Sequence, residues 1–145
     1  MKALSTRPPS GDRQGVLSLP KLHLELWVAR RRNRARLSRL LQRIYRVARR
    51  ITEEGGGSGP WVYLVDPDPA NARTTRLRIL LGLRPDEDLW IELVYYPSRV
   101  RMRQIIAQIW KHPVVVADAQ ALDALLSNRK TGYQATIAYA ALKAI

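Results

Sequence analysis

Apolar and polar residues alternate along residues 21–28 and recur with a longer period in the segment that follows. The alternation places Leu22, Leu24 and Leu26 on one face, which predicts a β-strand with one side buried. Over residues 33–54 the apolar positions recur at intervals of three and four, the spacing typical of an amphipathic α-helix. A glycine-rich run at residues 55–59 is predicted to end this helix.

Three further alternating segments follow the glycine-rich run. They lie at residues 61–65, 75–81 and 89–96 and are separated by turns rich in proline and aspartate. This arrangement predicts a three-stranded antiparallel meander.

The last third of the chain predicts mainly helices. Ser98 is expected to cap a helix that continues to residue 111. The β-branched run at 114–117 predicts a short buried strand, and Asp118 is expected to cap the helix after it. A final helix is predicted over residues 131–145.

These elements together predict one α+β domain over residues 16–145. Its order is a strand, a long basic helix, a three-stranded antiparallel meander, a helix, a short strand and two C-terminal helices. Residues 1–15 are rich in proline, glycine, serine and charge, which predicts a flexible basic N-terminal segment. A chain of 145 residues that is 46% hydrophobic is long enough to bury a core.

Composition excludes several classes of protein. Cysteine is absent, so the chain has no disulfide framework and no thiolate metal site. No apolar run approaches the roughly eighteen residues that span a bilayer, and the first residues lack the apolar core of a secretion signal. We therefore expect a cytoplasmic, intracellular protein with no membrane partner, no metal and no cofactor.

The predicted long helix carries a dense run of positive charge. Ten arginines and no acidic residue lie between Arg30 and Arg50. Six of them, which we call the arginine stripe, recur at alternating steps of four and three: Arg32, Arg36, Arg39, Arg43, Arg46 and Arg50. The stripe lies roughly 120° around the helix from the apolar positions, so the helix can pack and present guanidinium groups at the same time. Without interleaved acids for i,i+4 pairing, we interpret it as a phosphate-binding surface, a solvated helix face being the alternative.

Two other groups of residues extend this hypothesis. One face of the predicted meander would carry aromatic and charged residues suited to single-stranded nucleic acid, unless terminal helices cover it: Trp61, Tyr63, Arg76, Arg78, Trp90, Glu92 and Tyr96. Three arginines at the start of the following helix would add phosphate contacts near a helix N-terminus. The full predicted set is Arg30, Arg31, Arg32, Arg36, Arg39, Arg43, Arg46, Arg50, Arg76, Arg78, Arg99, Arg101 and Arg103.

The order of elements over residues 21–111 is similar to that of double-stranded-RNA-binding domains and of ribosome-associated hibernation factors. In those families helices and sheet together grip RNA. The order from the arginine helix onward also resembles the core of restriction-endonuclease-like nucleases, which use an Asp and a Glu-x-Lys motif. Asp86 and Glu92 would be the matching carboxylates, but Val94 occupies the place of the lysine. That resemblance implies a metal-dependent nuclease or an inactive relative.

With two histidines and no cysteine, the chain has too few members for a histidine-based metal cluster or a Cys/His pair. We therefore expect a DNA-binding or RNA-binding protein without catalysis. One alternative is the nuclease or its relative, using Asp86 and Glu92. Another is an interaction subunit that binds other proteins of a nucleoprotein complex.

Overall fold

The computed structural model describes residues 20–126 and the backbone of residues 133–138. Its elements, in chain order, are β1 (Lys21–Arg30), a 3-10 turn (Arg31–Asn33), α1 (Arg34–Glu54), β2 (Ser58–Leu64), α2 (Ala72–Leu80), β3 (Glu87–Tyr96), α3 (Arg99–Lys111), α4 (Pro113–Leu125) and β4 (Tyr133–Ala138). The predicted α+β class is confirmed, as are the first strand, the arginine-rich helix and the helix capped by Ser98.

The sheet has the strand order β2-β3-β1-β4, and each neighbouring pair is antiparallel. A three-stranded antiparallel sheet is therefore present as β2-β3-β1, with β4 added beside β1. Strand β1 pairs with β3 over its whole length, from Lys21 opposite Tyr96 to Arg30 opposite Glu87. Because side chains alternate along a strand, this register decides which residues share a face of the sheet.

One face of the sheet packs against α1, α3 and α4. Trp90 of β3 lies on this face and shares a buried cluster with Leu37 and Ile44 of α1 and Val115 of α4. A second buried cluster joins the end of α1 to α3 through Ile51 and Ile105. Helix α1 is thus fixed along its whole apolar stripe.

The other face of the sheet packs against α2 at one end. Val28 and Leu89, which are opposite each other in β1 and β3, contact Leu77 and Leu81. Helices α1 and α2 therefore lie on opposite sides of the sheet.

Gly57 allows the chain to pass closely from α1 into β2, and Gly59 lies where β2 departs from regular pairing, between Ser58 and Trp61. A Cβ atom on Gly57 would lie 2.5 Å from the carbonyl oxygen of Tyr95. Gly59 has a φ of 93°, a conformation that other residues rarely adopt. The predicted stop signal is confirmed, since α1 ends at Glu54.

Residues 75–81 were predicted as a strand, and that prediction is wrong. The structure has helix α2 (Ala72–Leu80) there, capped by the Asn71 side chain, which accepts a hydrogen bond from the Thr74 amide. Apolar residues at 77 and 81 satisfy both a helical and an alternating pattern, so the short run was ambiguous. Ile79 and Leu80 are 72% and 75% exposed, and only the helical pair packs on the sheet.

The predicted strand at 114–117 is also wrong, because these residues lie in α4. Pro113 occupies the first turn, where its missing N–H costs nothing, and the His112 ring nitrogen accepts the Val114 amide hydrogen. Asp118 consequently lies inside the helix and does not cap it. Val115 is buried while Val116 is 58% exposed, as expected for a helix packed along one side.

The helix predicted over residues 131–145 is contradicted where the structure describes it. Tyr133–Ala138 is strand β4, paired with β1 from Leu26 opposite Tyr133 to Lys21 opposite Ala138. Hydrogen bonding along the edge of β1 outweighs the helical preference of the alanines. The remainder of that prediction and the basic segment 1–15 lie outside the described residues.

Among the helices of the described residues, none is long and apolar enough to cross a membrane.

Candidate functional site

The arginine stripe lies on the solvent side of α1 and the preceding turn. All six of its side chains belong to exposed residues, whereas Leu37 and Ile44 on the packed side are 0% and 5% exposed. Because arginine and apolar residues each recur at helical spacing over the 21 residues of α1, the same helix carries the arginine stripe on one side and an apolar stripe on another. The expected division into a packed face and a charged face is confirmed.

Five members of the stripe have no hydrogen bond or ion pair with any described residue. These are Arg32, Arg36, Arg39, Arg46 and Arg50. The sixth, Arg43, is paired: its Nε lies 3.0 Å from Oδ2 of Asp118 on α4, and a second guanidinium nitrogen lies 3.3 Å from Oδ1. This hydrogen-bonded carboxylate raises the pKa of Arg43. Within residues 20–126, the fold therefore neutralises one member of the stripe and leaves the other five charges without a partner.

The arginines between the end of β1 and the start of α1 make structural ion pairs instead. Asp88 is completely buried and accepts two hydrogen bonds of 2.7 Å from Arg34, with Nε of Arg31 at 3.4 Å. Arg30 pairs with Asp86, and its hydrogen bond is the main cause that lowers the Asp86 pKa. These contacts attach the beginning of α1 to the beginning of β3. Phosphate contact by Arg30 and Arg31 stays a prediction.

Arg76 and Arg78 lie on α2 and therefore on the opposite side of the sheet from α1. Arg78 donates a 2.6 Å hydrogen bond to the carbonyl oxygen of Glu87, which ties α2 to the start of β3. Arg76 is exposed on the outer side of α2. The structure does not bring these two arginines together with the arginine stripe.

Arg99, Arg101 and Arg103 are exposed in the first turns of α3. Ser98 Oγ accepts the Arg101 amide hydrogen at 3.1 Å, which confirms the predicted cap. Helix α3 lies against the end of α1, since a Cβ atom on Gly55 would be 2.7 Å from the Ile105 side chain. The three arginines thus stand on the element that adjoins the end of the arginine stripe.

The aromatic face predicted for the meander does not exist as one surface. Register places Trp61 and Tyr63 of β2 opposite Leu93 and Ile91, whereas Trp90 and Glu92 point toward the helices. The guanidinium carbon of Arg49 lies 4.3 Å from the Trp61 ring centre, a cation–π contact with one face of this ring. The predicted set mixed residues from two faces because the register pairs Val62, not Trp61 or Tyr63, with Glu92, and alternation within each strand does not specify that register.

The two carboxylates expected for a nuclease are far apart. Asp86 precedes the first residue of β3, and the five steps along the strand from Glu87 to Glu92 span about 17 Å. Ligands of a divalent cation must lie within about 2.6 Å of it, so these two carboxylates cannot share one ion. Within the described residues, no group of three His, Cys, Asp or Glu side chains could hold a metal.

Sequence reasoning missed a cavity between the sheet and the three helices that cover it. The cavity has a volume of about 420 Å³ and is lined by six titratable side chains, His23, Glu25, Tyr45, Glu92, Tyr96 and Asp123. We call it the acidic cavity. His23 and Glu25 come from β1, where Nε2 and Oε2 are 3.7 Å apart. Tyr45 of α1 donates a 2.7 Å hydrogen bond to Oε2 of Glu92 on β3.

Burial perturbs the acid–base behaviour of this cavity. Desolvation raises the Glu92 pKa to about 7, and the charge of Glu25, directly opposite in the antiparallel register, contributes in the same direction. Desolvation also raises the pKa of Tyr45 and Tyr96. The hydrogen bond with Glu25 raises the His23 pKa. The sequence indicated this cavity only through the polar residues that alternate with apolar ones, His23 and Glu25 on β1 and Glu92 on β3. The register between the two strands is needed to recognise that these side chains lie together.

Comparison with known proteins gives no family to place beside this geometry. No protein-family model matches the chain, and no curated protein matches it.

Proposed function

We propose that this protein binds nucleic acid through the phosphate backbone, using the arginine stripe of α1 and the neighbouring arginines of α3. The observation that carries the proposal is the set of five exposed arginines, on one side of α1 and in the turn before it, that no described carboxylate neutralises: Arg32, Arg36, Arg39, Arg46 and Arg50. A surface of this kind raises the local concentration of a polyanion and favours its binding by counterion release.

The length of the stripe suits an extended ligand. From Arg32 to Arg50 there are eighteen residues, which at 1.5 Å each span about 27 Å. Double-stranded DNA carries one negative charge per about 1.7 Å of its axis, so this length passes many phosphates. Guanidinium groups also suit phosphate oxygens because they can donate two parallel hydrogen bonds.

Rigid attachment of α1 supports the same function. Asp88 fixes its beginning through Arg34, and Ile51 packs with Ile105 at its end. A helix held at both ends presents its charges without a cost for ordering the backbone on binding, so only the arginine side chains lose freedom. Phosphate contacts alone carry no sequence information, so we propose binding that is largely independent of base sequence.

The test compares two double variants that remove equal charge from opposite sides of the sheet. Arg39→Gln/Arg46→Gln removes two unpaired arginines of the stripe, and Arg73→Gln/Arg76→Gln removes two exposed arginines of α2. Fluorescence anisotropy with labelled duplex DNA and duplex RNA measures both affinities. We expect the α1 variant to bind each duplex at least about tenfold more weakly than the α2 variant, which is about 1.4 kcal/mol.

Equal weakening in both variants would mean that only net charge matters, and the proposed surface would be wrong. Unchanged affinity in the α1 variant would have the same meaning. The cytoplasmic location and the partner proteins of a nucleoprotein complex remain predictions, and the two duplexes decide between DNA and RNA.

A further inference from the structure

We propose that the acidic cavity binds a small organic cation, an ammonium or amidinium group attached to an apolar body. The site lies on the packed side of α1, away from the arginine stripe, and the proposal does not depend on nucleic-acid binding.

The charge of the lining selects for a cation. Three carboxyl groups face the cavity, from Glu25, Glu92 and Asp123, while His23 is the one basic side chain among the described lining residues. The chain as a whole contains 25 Lys and Arg against 12 Asp and Glu, yet neither Lys nor Arg is among the described residues that line this space. An acidic interior in a strongly basic protein is a local arrangement that its overall composition does not explain.

Aromatic rings supply the second part of the recognition. Trp27 and Tyr45 are stacked with their centres 6.0 Å apart, and Tyr96 and Trp110 also line the cavity. Faces of Trp and Tyr rings attract organic cations and pack against apolar groups. Ile44, on the packed side of α1, adds apolar lining. The carboxylates can bind the charged group of an organic ammonium ligand, and the aromatic rings can pack against its apolar body. This lining suits such a ligand better than a bare metal ion, which prefers several oxygen ligands at once.

Size and access agree with a small ligand. Binding cavities for small molecules typically measure about 300–1,000 Å³, and this one has about 420 Å³. Trp110, 59% exposed, and Asp123, also exposed, line the cavity on its solvent side. A ligand could therefore enter beside them without opening the sheet.

The proton on Glu92 gives this site a characteristic pH dependence. The pKa of Glu92 is about 7, and a bound cation favours the ionised form. The pKa of His23 is also raised, and His23 loses its own positive charge as the pH rises through that pKa. Tyr45 and Tyr96 stay neutral because their pKa values are raised. The affinity for a cation should therefore rise as the pH increases through 7.

The experiment measures binding of 2-phenylethylammonium to the full chain by calorimetry and by thermal shift, with 2-phenylethanol as the uncharged analogue. Glu92→Gln keeps an acceptor for Tyr45 but removes the charge. Asp123→Asn makes the same change at the exposed side, where folding is not at risk. Glu53→Gln removes an exposed carboxylate on α1 that does not line the cavity and serves as the matched control.

We expect the ammonium to bind and raise the melting temperature, the alcohol to bind at least about tenfold more weakly, and each cavity variant to lose about tenfold in affinity. The control should bind as the parent protein does, and affinity should be higher at pH 8 than at pH 6. Equal binding of ammonium and alcohol would overturn the proposal, as would unaltered binding by the Asp123→Asn variant or an absence of ammonium binding at pH 8.

Discussion

Replacing Glu92 by glutamine should stabilise this protein at alkaline pH. The carboxyl group of Glu92 lies beneath α1, accepts a hydrogen bond from Tyr45 and stands opposite Glu25 on the neighbouring strand. Burial raises its pKa from 4.5 to about 7, so ionising it in the folded state is unfavourable. Glutamine has nearly the same shape and retains the acceptor oxygen, but it carries no charge.

The sign and size of the effect follow from proton binding. Between pH 4.5 and 7 the folded state keeps the Glu92 proton while the unfolded state releases it, so stability falls as the pH rises through this window. A difference of 2.5 pKa units corresponds to about 3 kcal/mol at pH 8, and less than about 1 kcal/mol remains at pH 5. His23 acts in the same direction, because its raised pKa gives stability that is lost as the imidazole deprotonates. The main cause of that raised pKa, the hydrogen bond with Glu25, is common to the parent and the variant, whereas the smaller part that comes from the charge of Glu92 is lost in the variant.

Urea unfolding followed by tryptophan fluorescence at pH 5, 6.5 and 8 measures the difference directly. We expect the free energy of unfolding of Glu92→Gln to exceed that of the parent by an amount that grows with pH to about 3 kcal/mol, or roughly 10 °C in melting temperature. The exposed Glu53→Gln variant should show no such growth. A difference that stays constant from pH 5 to pH 8, or a variant less stable than the parent at pH 8, would refute the reasoning.

Two further stability predictions follow from the packing of α1. Asp88→Asn should lower the free energy of unfolding by about 2 kcal/mol, because the charge-assisted hydrogen bonds to Arg34 are lost while that arginine can still reach water. A change below about 0.5 kcal/mol in urea unfolding would contradict this role. Leu37→Ala should cost about 2–5 kcal/mol because Leu37 is 0% exposed, whereas Leu80→Ala, at a position 75% exposed, should cost less than about 0.5 kcal/mol. Equal losses in the two leucine variants would contradict the placement of these helices.

The elements that could be predicted from the sequence are those with a long and unambiguous period. The arginine helix repeats its pattern over about six turns and ends at a glycine-rich run, and β1 alternates over its whole length. The prediction for the segment that forms α2 was wrong because its short apolar run fitted both a helical and an alternating pattern. The prediction for the start of α4 was wrong because three consecutive valines suggested a strand, although Pro113 and His112 are residues typical of the start of a helix.

The candidate surfaces divide in the same way. The arginine stripe needed only helical geometry, so its exposure could be predicted from spacing alone. Ion pairs such as Arg43 with Asp118 join residues 75 positions apart, and no local pattern indicates them. The acidic cavity depends on the register that sets Glu25 opposite Glu92, which local spacing does not specify.

The central claim is that the uncompensated arginines of α1 bind phosphates, and the salt dependence of binding tests it most directly. Each phosphate neutralised on a DNA duplex contributes a slope of about −0.9 to log affinity against log salt concentration. We predict a slope steeper than about −3 for the parent protein, and a slope shallower by about 2 for Arg39→Gln/Arg46→Gln. A slope near zero, or one that the α1 substitutions leave unchanged, would contradict the account.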